Sequence, residues 1–245
     1  ELLRVESLNY KNYIKDVSFT LHRGEVLGIA GLEGAGRTEL LESLFGVNNP
    51  EHGKIYLNGE EIKIASPADA KAKGIAYITK DRKNKGLFLR MSISDNMLAA
   101  NVDRYTKKNL MQFKAAKIAA VEYKEKFQIK TPDVEKKVSQ LSGGNQQKVL
   151  MSMWISRHPQ ILLIDEPTRG IDVGTKESIH NLIRDFAKQG MGVIMVSSDM
   201  PELIGAADRI IAMYEGRISG ELKLDEICEE KIMALTSGIS LSKGA

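Results

Sequence analysis

The sequence feature that most constrains the fold is an apolar segment that leads directly into a glycine-rich loop and then into a helical pattern. Glu25 to Ala30 is apolar nearly throughout, which is typical of a strand buried on both faces, whereas Thr38 to Phe45 has helical character. Residues 31–38 between them read GLEGAGRT. A strand, a glycine loop and a helix in this order predict a phosphate-binding loop in an α/β fold.

The loop matches the template G-x-x-x-x-G-K-[ST] except that arginine stands at the lysine position. Its glycines allow backbone N–H groups to surround phosphate oxygens, and the helix that follows presents its positive end to the same anion. We therefore predict a site for ATP or ADP in which Thr38 also gives its hydroxyl to Mg²⁺. A purely structural glycine turn is the alternative. The predicted contact residues are Gly31, Gly34, Ala35, Gly36, Arg37 and Thr38.

Two acidic residues follow a second buried-strand pattern, in the segment ILLIDEPTRGID. Asp165 lies at the carboxyl end of that strand, where open α/β sheets present ligands, and its carboxylate is predicted to hold Mg²⁺. Glu166 is predicted to act as the catalytic carboxylate that polarises an attacking water. The alternative is that the two acids only cap the strand before the turn at Pro167.

A second anion site is predicted in the segment QLSGGNQQKVLMSMWISR. Ser142, Gly143 and Gly144 place a hydroxyl and two unhindered amides at the start of a helix that runs to Arg157. Two phosphate-binding surfaces in one chain suggest that the loop serves one nucleotide and this segment serves a nucleotide held by a partner. The alternative is that the segment is only a good helix start.

Composition narrows the class of protein. Lys and Arg number 35 against 32 Asp and Glu, a net charge of +3, which argues against a nucleic-acid-binding domain with a concentrated basic face. No apolar run approaches the roughly 18 residues of a membrane span. The single cysteine, Cys228, excludes an internal disulfide. The histidines show no metal-ligand spacing, and we expect surface or strand-end positions for His22, His52, His158 and His180.

Turn and helix signals outline the rest of the chain. Asn58-Gly59 and Glu215-Gly216 predict hairpins. The lysine-rich stretch from Ser92 to Lys126 is predicted to be helical, with its lysines on a solvated face, and to end at Thr131-Pro132-Asp133. The patterns QILLID and GVIMVSS, each followed by a helical stretch, predict β-α-β crossovers and a parallel sheet.

The three motifs in this order resemble the nucleotide-binding domain of ABC transporters over nearly the whole chain. LSGGNQQ is similar to that family's signature motif, ILLIDEP to its Walker B strand, and Thr168 to Gly174 to its D-loop region. The resemblance implies an α/β fold with a P-loop (RecA-like) core and mostly parallel sheet, an N-terminal antiparallel β subdomain and an inserted helical subdomain. The signature residues that it implies for a partner's ATP are Ser142, Gly143, Gly144 and Gln146.

The same resemblance implies one ATP-binding domain over residues 1–245. Its core and antiparallel β subdomain are expected in residues 1–90 and 158–245. Its helical subdomain, with the signature motif, is expected in residues 91–157.

A narrower resemblance points to sugar transport. GLEGAGRTELLESLFG, DRKNKGLFL, DEPTRGIDVG and SSDMPELIGAADRI look like the C-terminal half of the duplicated ATPase subunit of bacterial monosaccharide importers, the ribose, galactose, xylose and arabinose group. The start at Glu1 in place of methionine fits one half of such a longer polypeptide. The resemblance implies a peripheral position at the cytoplasmic face of the membrane.

The same resemblance implies several partners. They are an N-terminal ATP-binding half of the same polypeptide or a second ATPase domain, transmembrane permease subunits, and indirectly a periplasmic or extracellular sugar-binding protein. A permease helix is expected in the groove near Phe88 to Asn96, and no nucleic acid is expected.

Three positions depart from the ABC pattern and predict weak hydrolysis. The narrower resemblance implies arginine in this loop. The guanidinium of Arg37 is planar and bulkier than the ammonium group of lysine, so we expect it to misplace its positive charge in the transition state. Ser198 stands where ABC domains usually carry a γ-phosphate-sensing histidine, and Lys80 stands at the Q-loop glutamine position. We expect the chain's own site to bind nucleotide with little or no turnover. Tyr13 is the expected adenine-stacking aromatic, with Tyr10 as a competitor and an ordinary strand tyrosine as the alternative.

Other functions stay open at this point. They are an importer of nucleosides or another small solute, a non-transport ABC protein acting on ribosomes or DNA, and a regulatory pseudo-ATPase. A non-transport protein is expected to keep the Walker lysine and to carry a concentrated basic extension, and this sequence has neither.

Overall fold

The computed structural model describes residues 1–240. The strands are β1 (Leu3–Tyr10), β2 (Ile14–Leu21), β3 (Val26–Gly31), β4 (His52–Leu57), β5 (Glu60–Ile62), β6 (Ile75–Ile78), β7 (Thr106–Lys107), β8 (Leu110–Met111), β9 (Ile161–Asp165), β10 (Gly192–Val196), β11 (Arg209–Tyr214) and β12 (Arg217–Lys223). The helices are α1 (Arg37–Leu44), α2 (Pro67–Ala72), α3 (Ile93–Ala100), α4 (Phe113–Lys126), α5 (Gly143–Ile155), α6 (Val173–Lys188), α7 (Met200–Ala206) and α8 (Glu229–Thr236). Short helical turns cover Arg82–Gly86, Val138–Gln140 and Leu224–Glu226.

A mostly parallel sheet of six strands has the order β12-β11-β3-β10-β9-β6. β3 is parallel to both of its neighbours, β10 and β11, and β10 is parallel to β9. Every residue of β9 and β10 is buried, which explains why their sequences are continuously apolar. The prediction of a parallel sheet is confirmed.

The strand register brings the functional loops to one edge of this sheet. Val196 pairs with Asp165 on one side and with Ile29 on the other. Because these strands are parallel, the loops that follow β3, β9 and β10 all start from the same edge.

Both predicted hairpins are present. A second, antiparallel sheet has the order β2-β1-β4-β5, and β4 and β5 are joined at Asn58 and Gly59, with φ angles of 53° and 84°. β11 and β12 are antiparallel and are joined at Glu215 and Gly216, with φ angles of 47° and 83°. Two consecutive positive φ angles give the turn the twist that suits a two-residue hairpin.

The inserted helical region differs from its prediction in the middle. The continuous helical stretch predicted from Ser92 to Lys126 is wrong, because β7 and β8 form a small antiparallel hairpin between α3 and α4. Lys108 and Asn109 in its turn have φ angles of 49° and 62°. The pair was missed because its first residue is lysine, which is not a turn signal.

The end of α4 also differs from its prediction. The helix ends at Lys126, before the predicted stop at Thr131-Pro132-Asp133. Phe127 is its C-cap and is 1% exposed, and Gln128 has a φ of 50°. A buried aromatic side chain followed by a left-handed residue ends the helix before the proline can do so.

The chain separates into two compact units. One consists of Glu1–Tyr77, Gln160–Glu166 and the residues from His180 onward, and the other consists of Ile78–Pro159 and Pro167–Ile179. The α/β fold with its mostly parallel sheet, antiparallel β subdomain and helical insertion is confirmed. In the part of the chain that the structure describes, no helix has both the length and the apolar character to cross a bilayer.

Candidate functional site

The phosphate loop lies between β3 and α1. Gly34 and Gly36 have φ angles of 84° and 97°, which glycine adopts freely and other residues rarely adopt. Gly36 is the N-cap of α1, and its carbonyl accepts the N–H of Leu40 at 2.9 Å. A Cβ at Gly36 would lie 2.1 Å from the carbonyl oxygen of Tyr13. Glycine is therefore required here both by φ and by close packing against the turn after β1.

Arg37 begins α1 and lies over the start of the loop. If residue 31 had a side chain, its Cβ would lie 3.0 Å from Arg37 Cδ. Glycine at this position therefore leaves room for the arginine side chain. Its Nη1 donates to the carbonyl oxygen of Ser197 at 3.1 Å. Burial lowers the pKa of the Arg37 guanidinium, and the carboxylates of Glu166 and Asp165 oppose that shift. The loop therefore carries a partly desolvated positive charge that is tied to the residue after β10.

A buried carboxylate lies beside the hydroxyl that was predicted to bind magnesium. Thr38 Oγ1 donates to Asp165 Oδ2 at 3.0 Å, and the Tyr77 hydroxyl donates to the same oxygen at 3.4 Å. Asp165 is 0% exposed. Among residues 1–240, no group of three or more His, Cys, Asp or Glu side chains is arranged to hold a metal ion. Hydroxyl and carboxylate oxygens are hard ligands, so this donor set fits Mg²⁺ that also binds nucleotide phosphates.

Tyr77 was missed by the sequence analysis. It lies in a buried strand and contacts the ring of Phe45, with ring centroids 5.4 Å apart. A tyrosine in an apolar strand gives no sequence signal for contact with a carboxylate 88 residues away.

Glu166 has a strained backbone at the end of β9. Its φ of 53° lies in the left-handed region, which costs a non-glycine residue about 1–2 kcal/mol. Its N–H donates to the carbonyl oxygen of Val196 at 2.9 Å, and its Oε2 accepts from Ser198 Oγ at 2.9 Å. The structure thus brings the predicted catalytic carboxylate together with the residue at the switch-histidine position. A serine hydroxyl does not titrate near neutral pH, so it cannot take up a proton as imidazole does.

Tyr13 lies next to the phosphate loop through its backbone. Its carbonyl oxygen would be 2.1 Å from a Cβ at Gly36 and 2.8 Å from a Cβ at Gly216. Tyr13 is 46% exposed, and its ring stacks on that of Tyr10, with centroids 6.4 Å apart. Tyr10 is further held by a hydrogen bond from its hydroxyl to Asn48 Oδ1 at 3.2 Å. Tyr13 therefore has the more available ring face, and adenine stacking by it stays a prediction.

The signature segment starts α5, as the sequence predicted. Ser142 is exposed and is the N-cap, and its Oγ accepts from the side-chain amide of Asn145 at 2.9 Å. Gln146 is 6% exposed, and its Nε2 donates to the carbonyl oxygens of Val138 and Leu141 at 3.2 and 3.1 Å. Gln146 supports the segment from inside, and contact of the signature residues with a partner's nucleotide stays a prediction.

Arg82 is a further candidate, which lies in the segment DRKNKGLFL but was predicted to have no role of its own. Its guanidinium donates to the carbonyl oxygens of Arg169 at 2.7 Å and Gly170 at 3.3 Å, in the predicted D-loop region. A Cβ at Gly143 would lie 2.9 Å from Arg82 Nη2 and 3.1 Å from the Gly170 oxygen. Arg82 thus connects the signature segment to the D-loop region. Burial lowers the pKa of its guanidinium.

The first turn of α6, which follows the D-loop region, packs against the second signature glycine. A Cβ at Gly144 would lie 2.4 Å from Thr175 Cγ2, in the first turn of α6. Thr175 is held by Asp172, whose carboxylate accepts from the Thr175 N–H at 3.0 Å and from its hydroxyl at 2.9 Å. The hydrogen bond from the Thr175 hydroxyl lowers the pKa of Asp172. A side chain at Gly144 would therefore clash with Thr175, whereas one at Gly143 would displace the guanidinium of Arg82.

Lys80, at the predicted Q-loop position, lines an open basic cleft of about 470 Å³. The cleft is lined by Lys80, Asp81, Arg82, Lys83, Arg169 and Gly170.

The histidines agree with their prediction in three of four cases. His22 follows β2, His52 begins β4, and His158 lies in a loop, and all three are exposed. The prediction for His180 is wrong, because its ring lies on α6 with only 28% of the side chain exposed, and its Nε2 is 2.6 Å from Glu202 Oε1.

Comparison of the sequence with known proteins gives concordant matches. The family model described as ABC transporter matches residues 14–169. The ribose import ATP-binding protein RbsA of Clostridium perfringens (strain 13) is 47% identical over 97% of this chain. The galactose/methyl galactoside import ATP-binding protein MglA of Clostridium tetani is 46% identical over 95% of it. The chain covers 48% and 47% of these two proteins, so it spans about half the length of the curated relatives it matches.

Comparison of the fold with solved structures also gives close matches. A nucleotide-free ATP-binding cassette from an ABC transporter has a TM-score of 0.80 at 21% identity, covering 97% of this chain and 95% of that one. A second ATP-binding cassette of an ABC transporter has a TM-score of 0.82 at 21% identity, covering 96% and 98%. At this identity the likeness shows the fold alone.

Proposed function

We propose that this chain, which belongs to the ABC transporter family of ATP-binding domains, is the energy-coupling domain of a bacterial sugar importer. Family membership implies that the chain binds ATP. The observation that carries the proposal is the identity of 47% and 46%, over nearly the whole chain, to proteins named for import of ribose and of galactose.

We infer that residues 1–245 form one of two ATP-binding halves. The chain spans about half of those relatives, which leaves room for a second such domain. Residues 1–90 and 158–245 would form the core and antiparallel β subdomain, and residues 91–157 the helical subdomain. The motif resemblance supports the C-terminal half, because arginine at position 37 is typical of that half.

The phosphate loop supplies the groups that would hold the nucleotide. Gly34 and Gly36 have the positive φ angles of a loop whose N–H groups can surround an anion, and Arg37 adds a positive charge whose attraction to phosphate is less screened by water because the side chain is partly buried. Thr38 and Asp165 would hold Mg²⁺, which neutralises charge on the phosphates when it is bound. The exposed ring of Tyr13 would stack on the adenine.

The same residues favour slow hydrolysis at this site. Arg37 already donates to the Ser197 carbonyl, so its charge is directed in part to a protein acceptor. Glu166 accepts from Ser198, whose hydroxyl cannot take the role of an imidazole. Removing one preorganised transition-state donor typically lowers kcat about 10²- to 10³-fold. We therefore infer that this half binds ATP and contributes little turnover.

The signature segment would act on a nucleotide held by the partner ATPase half. Ser142 is exposed at the N-terminus of a helix of 13 residues, where a hydroxyl and the helix dipole favour an anion. Arg82 would keep this segment and the D-loop region in one arrangement. The chain would thus complete the active site that carries out most of the hydrolysis.

Contact with permease subunits would place the domain at the cytoplasmic face of the membrane. Phe88 and Met91 are 55% and 42% exposed, although they are large and apolar. Asn96 holds this segment, because its Oδ1 accepts from the Phe88 N–H at 2.8 Å and its Nδ2 donates to the Phe88 carbonyl at 3.0 Å. An ordered, exposed apolar pair suits a permease helix as its partner. A sugar-binding protein outside the cytoplasm would act only through the permease.

The first test measures ATP binding and steady-state ATP hydrolysis by the chain in the presence of Mg²⁺. We expect saturable binding with a turnover below about 0.01 s⁻¹, two orders of magnitude under the low end of typical enzymes. Arg37→Lys restores the usual cation and is expected to raise turnover. Arg23→Lys is the matched control, because Arg23 is exposed and its Nη2 donates to Asn58 Oδ1 at 2.6 Å, outside the phosphate loop. Turnover above about 1 s⁻¹ by the unmodified chain would contradict a weakly hydrolytic site.

The second test uses the transporter ATPase assembled with its other ATP-binding half. Ser142→Arg places a bulky cation at the exposed helix start and is expected to lower ATP hydrolysis at least about 100-fold. Ser139→Arg is the control, because Ser139 is also exposed and lies three residues earlier. Equal activity of the two variants would refute the role of the signature segment. Gly143 is not a suitable position, because any side chain there would also displace Arg82.

A further inference from the structure

The loop after β10 presents two polar groups to the phosphate-loop site. The backbone carbonyl of Ser197 accepts from Arg37 Nη1 at 3.1 Å. The next residue, Ser198, donates from its hydroxyl to Glu166 Oε2 at 2.9 Å. The orientation of this loop therefore sets the positions of both the loop cation and the predicted catalytic carboxylate.

A buried carboxylate anchors this loop from the opposite side. Glu202, in α7, is 4% exposed, and its Oε2 accepts from Ser197 Oγ at 2.5 Å. Its Oε1 lies 2.6 Å from His180 Nε2. A carboxylate in its ionised form accepts from the serine hydroxyl and from an imidazole that carries its hydrogen on Nε2. Ser197 Oγ also accepts the N–H of Asp199 at 3.0 Å, which fixes its direction.

Packing alone does not account for a carboxylate at this position. Burying a charged group is unfavourable unless it is paired, and an apolar side chain of similar size would fill the space without that penalty. The contacts of Glu202 instead fix one orientation of Ser197, whose carbonyl in turn restrains Arg37. A restrained arginine loses less rotamer entropy when an anion binds, and this favours tighter binding.

We propose that Glu202, held by His180, is a positioning residue for nucleotide phosphates at Arg37. It acts through Ser197 and has no contact with the phosphates themselves. This inference rests on the nucleotide binding described above, and it assigns a function to two residues for which the sequence analysis predicted none.

The test is a double-mutant cycle on the ATP affinity of the full chain. Glu202→Gln keeps the size of the side chain and removes its charge, and we expect it to weaken ATP binding about five- to tenfold. In an Arg37→Ala background the same change is expected to alter affinity less than about twofold, because no arginine remains to be positioned.

Glu25→Gln is the matched control for the loss of a buried carboxylate. Glu25 has a side-chain exposure of 10%, accepts from Arg209 Nε at 2.8 Å and lies 3.0 Å from His22 Nδ1. It precedes β3, whereas the phosphate loop follows that strand, about 20 Å away along its length. It is therefore expected to change thermal stability without changing ATP affinity.

The histidine provides a second variant. His180→Gln retains a donor for the Glu202 carboxylate and is expected to keep the affinity within about twofold of the unmodified chain, whereas His180→Phe is expected to reproduce the loss. If Glu202→Gln does not fold, Ser197→Ala removes the same hydroxyl contact while leaving the carbonyl, and it is tested in the same cycle with the same expected loss.

The outcomes separate this inference from the proposed function. Failure of the unmodified chain to bind ATP would overturn the proposed function. Normal ATP binding by the unmodified chain with unchanged affinity in Glu202→Gln would overturn the positioning role alone. An equal loss in the presence and absence of Arg37 would also overturn it, since the effect would then be a structural one that does not pass through the arginine.

Discussion

Substitution of Gly36 by alanine tests how the phosphate loop is built. The residue has a φ of 97°, and its missing side chain leaves room for the Tyr13 carbonyl oxygen, which would lie 2.1 Å from a new Cβ. Gly34 offers a matched comparison in the same loop. Its φ is 84°, but a Cβ there would meet no heavy atom within 4 Å. The two variants share the backbone strain and differ only in the clash.

Backbone strain and the clash with Tyr13 contribute separately to the loss of stability. A left-handed φ destabilises the folded state of the alanine variant by about 1–2 kcal/mol. Alanine also lowers the conformational entropy of the unfolded chain relative to glycine, which offsets about 0.4–1 kcal/mol of that loss. Gly34→Ala is therefore expected to lower the free energy of unfolding by about 1 kcal/mol. Gly36→Ala also requires the Tyr13 carbonyl to move by about 1 Å to reach an ordinary C···O distance. This overpacking adds about 1–3 kcal/mol, because Tyr13 is also held against Gly216.

Urea denaturation of both variants, followed by circular dichroism, measures the difference. We expect Gly36→Ala to be less stable than Gly34→Ala by about 1–3 kcal/mol and to bind ATP more weakly, because the turn that carries Tyr13 is displaced. Equal stabilities within about 0.5 kcal/mol would refute the reasoning, since the packing against Tyr13 would then have no energetic consequence.

Three further predictions follow from single contacts. Tyr77→Phe removes a hydrogen bond to Asp165 and is expected to lower the free energy of unfolding by about 1 kcal/mol in denaturation experiments. It is also expected to weaken Mg²⁺-dependent ATP binding in a titration, and an unchanged dependence of ATP affinity on Mg²⁺ would contradict this. Arg82→Leu leaves the carbonyls of residues 169–170 without their guanidinium donor and is expected to speed hydrogen exchange across that segment, as measured by mass spectrometry. Unchanged exchange would show that Arg82 does not hold this segment in place. Arg209→Met removes the arginine that pairs with the largely buried Glu25 carboxylate and is expected to lower the free energy of unfolding by about 3 kcal/mol in urea; a loss below about 1 kcal/mol would show that the pair is already solvated.

Motifs that are contiguous in the sequence could be predicted because their geometry is local. Gly34 and Gly36 have the positive φ angles that the glycine template requires, and Ser142 is the N-cap of its helix. The hairpin at Asn58-Gly59 was predicted for the same reason, since two residues determine its turn. The hairpin at Lys108-Asn109 was missed because its first residue carries no such signal.

The contacts that decide how the site works join residues far apart in the chain. Arg37 and Ser197 are separated by 160 positions, and Arg82 and Gly170 by 88. Periodicity reports which face of an element is buried, but it does not report which polar group on another element will meet it there. Arg37 could therefore be recognised as a departure from the template, whereas its hydrogen bond to Ser197 could not.

Sequence patterns alone predict the α/β fold, the glycine-rich loop, the acidic pair after β9 and the helix start at Ser142, because each depends on local backbone preferences and on burial patterns within one element. The anchoring of the loop beside Arg37 by Glu202 and His180 depends on the tertiary structure, since the fold brings a side chain of α6 and one of α7 together next to the residue that follows β10. A buried polar group needs a hydrogen-bond partner. Which group supplies it depends on the tertiary packing and not on the distance along the sequence.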